Sequence, residues 1–151
     1  MISNTEDIID SRDVIKEIEE LEGEIESLKE TADEAITAFL EADADDQDDA
    51  AGDRDDALEA VIEWETENLE YLTDLRNLAS EGEGCGDWEY GATLINEDYF
   101  TDYCKELCED IGELPRDLPE YIVIDWDATA ENLKADYSHA DFGGETYLIR
   151  S

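Results

Sequence analysis

Apolar residues recur near the start of the chain at Val14, Ile18, Leu21, Ile25, Leu28, Ala32, Ala35 and Phe39, with intervals alternating between four and three. An unbroken heptad seam of this kind predicts one long helix facing a partner helix. Asp10 or Ser11 offers an oxygen to the first free amides and so can cap its start. Gly23 is its one weak point. A second apolar series runs through Leu58, Val61, Ile62, Trp64, Leu69, Leu72, Leu75, Leu78 and Ala79 and stops at Gly82, with Gly52 in the polar stretch between the two series. Two such segments predict an antiparallel αα-hairpin, each helix of about 25 residues and roughly 40 Å long. Two helices alone hide too little apolar surface, so the hairpin is expected to pack on the rest of the chain or to dimerise into a bundle.

At residues 81–86 (EGEGCG) glycine accumulates and the heptads stop, which marks a boundary. Residues 88–95 then read as a short strand or extended segment. Asn96 is placed to cap a helix over 97–111, stopped by Gly112 and Pro115, and Asp125 or Trp126 opens a shorter helix ending near Ala135. Residues 137–142 and 145–150 flank Gly143 and Gly144, whose tolerance of positive φ predicts a β-hairpin. The expected fold class is therefore α+β: a coiled-coil-like antiparallel helical hairpin over 1–82, then a small α+β domain over 86–151 that ends in a β-hairpin.

Charge changes the picture most. Among 151 residues, 47 Asp and Glu face 9 Lys and Arg, a formal net charge of −38. Both halves share the bias: residues 1–84 hold 30 acids against 5 bases, and residues 85–151 hold 17 against 4. A nucleic-acid binder is excluded, because each phosphate contact needs a cation and would here meet repulsion. Anionic membrane surfaces are disfavoured for the same reason. Partners should be basic proteins, cations or solvent. The chain is nevertheless 41% hydrophobic, with three Trp, seven Tyr and three Phe, so much of it should fold. No apolar run approaches the roughly 18 residues of a membrane span, and residues 1–7 lack the basic start of a signal peptide. The expected location is a cytoplasm.

Little in the sequence suggests catalysis or a cofactor. The one histidine, His139, falls in a predicted strand, and no nucleophile with an adjacent base, phosphate loop or metalloprotease pattern is present. The protein reads as a non-enzyme without a cofactor. Cys104 and Cys108 lie one helical turn apart, and with Cys85 and His139 they could suggest a metal site. They alternate at helical spacing with Phe100, Tyr103, Leu107 and Ile111, however, which favours core packing. Residues 43–48 look superficially like the start of an EF-hand. That loop needs Gly at its sixth position and Glu at its twelfth, where this chain has Asp48 and Arg54.

Two acidic groups are the candidate contact surface. Residues 41–60 carry ten carboxylates and one cation, Arg54. The partner-binding candidates there are Asp43, Asp45, Asp46, Asp48, Asp49, Asp53, Asp55 and Asp56. The second group is the stripe Asp98, Asp102, Glu106, Glu109, Asp110 and Glu113, with only Lys105 nearby. Like charges at i,i+4 destabilise a helix by roughly 0.2–0.5 kcal/mol per pair, and a merely solvated face usually mixes signs. B-DNA offers about one negative charge per 1.7 Å of axis. Long helices covered in carboxylates can present a comparable array, so mimicry of DNA is the favoured reading. A salt-adapted surface is the competing account of the acidity.

The order of elements after residue 85 also has a specific likeness. Residues 86–112 (GDWEYGATLINEDYFTDYCKELCEDIG), 124–137 (IDWDATAENLKADY) and 141–150 (DFGGETYLIR) together resemble the closing part of the ArdA family of antirestriction proteins. That family has an acidic helix, then an aromatic–Ala–Leu helix, then a terminal hairpin ending in Arg. The resemblance implies an elongated, acidic mimic of B-DNA, usually dimeric, that occupies the DNA-binding cleft of a Type I restriction enzyme. It covers under half of the chain, and the helical hairpin over 1–84 departs from the α/β front half of that family. The target is therefore open among a restriction enzyme, a CRISPR effector and another phage-defence protein that holds DNA. The expectation is a phage or mobile-element inhibitor acting in the host cytoplasm as a homodimer. The alternative is a dimeric acidic scaffold or assembly protein with no role in mimicry.

Overall fold

The computed structural model describes residues 1–112, 114 and 117–150. The fold is α+β: two long helices, then a small antiparallel sheet that includes a C-terminal β-hairpin. Contacts divide the chain into two compact units, Lys16–Asp74 and a second one built from Met1–Ile15 with Leu75–Ser151. The glycine-rich stretch 81–86 lies within the second.

The first unit is the helical hairpin. Helix α1 (Ser11–Glu41) and helix α2 (Gln47–Gly82) both run longer than their apolar series, α2 the more so because the acidic residues that precede Leu58 are helical too. Cross-helix partners give the direction. As the residue on α1 advances from Glu17 to Glu24 and Phe39, its partner on α2 falls back from Tyr71 to Trp64 and Arg54. Every seam position of α1 is buried or half-buried. The second series corrects the simple two-seam picture. Val61 and Trp64 turn inward, but Leu58, Ile62 and Leu69 are 38%, 64% and 46% exposed. The inward side of α2 is completed by Ala57, Asn68 and Tyr71, so this helix is apolar on two sides.

The second unit is a four-stranded antiparallel sheet ordered β1-β2-β4-β3, from β1 (Ile8–Asp10), β2 (Thr93–Asn96), β3 (Tyr137–Phe142) and β4 (Glu145–Arg150). Ile9 faces Leu94, Leu94 faces Ile149, and Ile95 faces Leu148 in register. Side chains alternate across a strand, and on one side Ile95 and Leu148 join Phe100, Cys104 and Ala130 in a core. Those last residues come from α4 (Phe100–Asp110) and α5 (Trp126–Leu133). Tyr137 meets the Phe100 ring edge-on at 5.0 Å. The other side of the sheet is equally buried at Leu94, Tyr147 and Ile149.

The β-hairpin falls where the glycines put it, with φ of +57° at Gly143 and +88° at Gly144. Two other expectations shift. Residues 88–91 form a short helical turn, α3 (Trp88–Gly91), and the strand starts only at Thr93. Ser11 explains the difference: its buried hydroxyl donates to the Trp88 carbonyl and accepts from the Ala92 amide, both at 2.7 Å, fixing the turn in place. Asn96 ends β2 and caps a turn by accepting from the Asp98 amide at 2.9 Å, so α4 begins one turn later than expected. Gly112, at φ +71°, follows α4 as expected; Pro115 lies outside the described residues. Asp125 caps α5 by accepting from Ala128 at 3.1 Å. Asp10 caps α1, accepting from the Arg12 amide at 2.9 Å, which leaves Ser11 free for its bonds to α3. Among the described residues no helix is long and apolar enough to cross a membrane.

Candidate partner-binding surface

The hairpin's connection is short, because the acidic stretch is mostly helix. Asp43, Asp45 and Asp46 lie in the turn, where the Asp46 amide bonds the Asp43 carbonyl at 3.0 Å. Asp48 and Asp49 occupy the first turn of α2, and Asp53, Asp55 and Asp56 follow on the same helix. All eight are exposed. Their helical setting is electrostatically mixed. Carboxylates in a first turn gain roughly 0.3–1 kcal/mol from the unsatisfied amides there. Glu41, at the end of α1, sits instead against free carbonyls.

Arg54 is withdrawn from this surface. Its guanidinium lies 4.2 Å over the Phe39 ring and bonds Asp55 at 2.9 Å, with the side chain only 28% exposed. Among the described residues, Asp55 alone of the eight has an ion-pair partner. The single cation of the stretch therefore neutralises one neighbour and stacks on an aromatic ring, and the remaining carboxylates face water unopposed.

The second acidic group lies in the sheet unit. Asp98 precedes α4, and Asp102, Glu106 and Glu109 share one exposed face of that helix, with Asp110 at its edge. Glu106 accepts from the Tyr99 hydroxyl at 3.0 Å, and this bond together with the negative charge pushes the Tyr99 phenol up from its usual range. Glu113 lies outside the described residues. The two groups thus belong to different units, each gathered on its own element. Structure adds further exposed acids that the charge count alone did not single out, among them Glu59, Glu63 and Glu70 on α2. Reading α2 as a helix with two apolar sides would have found them.

The cysteines are core residues. Cys85, Cys104 and Cys108 are buried free thiols, and burial pushes the Cys104 thiol up. Among the described residues no three His, Cys, Asp or Glu side chains are grouped to hold a metal ion. His139 sits exposed on β3, opposite Leu148.

No protein-family model, no curated protein and no solved structure matches this chain.

Proposed function

We propose that the protein is a non-enzymatic acidic mimic of DNA, encoded by a phage or mobile element, that inhibits a host defence nuclease by occupying its DNA-binding cleft. The observation that carries this reading is the exposed acid group over 43–56, unopposed but for Asp55 and with its only cation turned onto Phe39. A basic cleft supplies the opposite charge that the molecule itself does not. Long-range attraction of this kind speeds association and weakens steeply with salt. The likeness of residues 86–150 to the ArdA family supports the same reading, with a Type I restriction enzyme or a CRISPR effector in the host cytoplasm as target.

The test is phage plating on hosts that carry one defence system at a time. Expression of the chain should restore plating on at least one restricting or CRISPR-bearing host. Replacing Asp43, Asp45, Asp48, Asp49 and Asp53 together by Lys should remove the protection. Plating unchanged on every such host would sink the proposal. The scaffold alternative has one observation in its favour, the exposed apolar row on α2, and it predicts a homodimer whose formation is indifferent to added DNA.

A further inference from the structure

On α2, Leu58, Ile62 and Leu69 fall at spacings of four and seven and remain 38%, 64% and 46% exposed. At 100° per residue they lie within about 40° of one another, an apolar row some 16 Å long. One residue further on, Glu59, Glu63 and Glu70 repeat the same spacing as a second row roughly 100° around the helix. All three are exposed, and among the described residues none is engaged by a cation or a hydrogen-bond donor. Within the apolar row, Glu65 is already held by Lys29 at 3.5 Å. The helix thus presents an apolar track flanking the side that carries Val61 and Trp64, with an acidic track beyond it.

We infer that this face docks a cationic amphipathic helix of a partner protein. Apolar side chains at spacings of four and seven would cover Leu58, Ile62 and Leu69, and a parallel row of Lys or Arg would meet Glu59, Glu63 and Glu70. Charge decides the occupant. A second copy would bring another chain of net charge −38 to this face, and set antiparallel it would also place both glutamate rows on the same side, facing each other. The inference rests on the basic-partner reading above and deepens it. Coulombic attraction fades with salt, whereas burial of this row does not depend on counterions, so the docked helix holds where acids alone would release.

The experiment uses the full chain and a fluorescent synthetic peptide of about 18 residues, with Leu at spacings of four and seven and a Lys following each. A control peptide has the same composition in shuffled order. Binding is measured by anisotropy at about 0.15 M and 0.5 M NaCl. The ordered peptide should bind at least about tenfold tighter than the shuffled one, most clearly at high salt. Joint Leu58→Ser, Ile62→Ser and Leu69→Ser should erase that preference, with helix content checked by circular dichroism. Joint Glu59→Gln, Glu63→Gln and Glu70→Gln should weaken binding at low salt and flatten its salt dependence. Equal binding of both peptides, or a preference that survives the serine variant, overturns the inference. So does sedimentation showing a wild-type dimer that the serine variant disperses, which would make a second copy the occupant. A wild-type chain that protects phage but shows no peptide preference would sink this inference alone, and one that shows the preference but gives no protection would sink only the mimicry reading.

Discussion

Gly82 ends α2 directly beneath the ring of the buried Trp88, so closely that a β-carbon at that position would overlap the indole. Trp88 in turn offers its carbonyl to Ser11. The last turn of α2, the turn of α3 and the first turn of α1 are locked together by these contacts within the sheet unit.

Gly82→Ala should therefore destabilise the protein by about 1–3 kcal/mol, since the indole has to shift within a packed core. Gly23→Ala is the contrasting case: it is helical, and a β-carbon there meets nothing within 4 Å. It should stabilise by about 0.5–1 kcal/mol. Chemical denaturation of the two variants beside wild type checks both signs. Equal effects would undo the packing argument.

Ser11→Ala removes a hydroxyl that is fully buried and bonded on both sides. The Ala92 amide and the Trp88 carbonyl would lose a partner out of reach of water. The expected loss is about 1–3 kcal/mol, with earlier hydrogen exchange at the Ala92 amide as the local signature. Unchanged exchange there would mean that another group satisfies the amide.

Arg54→Ala should lower stability by about 0.5–1 kcal/mol through loss of the contact with Phe39. Its effect on inhibition should be slight, because the guanidinium offsets only Asp55 and otherwise stacks on Phe39. Thermal denaturation and the plating assay measure the two effects separately. A large drop in protection with little loss of stability would place Arg54 in the contact surface instead.

The Arg12 side chain holds the Asp10 carboxyl below the usual carboxylate value of 3.8. The unfolded state then binds more protons in that range, so this contribution to stability is present above about pH 3.8 and is lost as pH falls through the lower, folded value. The melting temperature of Asp10→Ala should accordingly lie below wild type near neutral pH, and the gap should close in strong acid. A gap that widens on acidification would refute the assignment.

Much of the architecture could be read from the sequence where period and punctuation agree. The α1 seam from Val14 to Phe39 and the Gly143–Gly144 hairpin are such cases, because each has one structural solution. The three-residue β1 carries too short a pattern to stand apart from the helix that follows it. Trp88 and Tyr90 favour a strand by residue type, but the Ser11 bonds that fold this segment into a turn come from a residue 77 positions away. On α2 the two apolar sides overlap into one series, which cannot separate Val61 from Ile62 until α1 is in place. The exposure of the acids over 43–56 follows from their number alone. The burial of Arg54 against Phe39 does not, because it depends on the register of one helix against the other.

The chain leaves the sheet unit after Ile15 and rejoins it at Leu75. In connectivity the helical hairpin is therefore an insertion into a smaller α+β fold whose first strand precedes the insertion and whose other three follow it. Removing matched heptads from both arms shortens such an insertion without altering any strand pairing. The length of the acidic hairpin is thus a free variable, for evolution or for an engineer, that leaves the sheet unit's pairing unchanged.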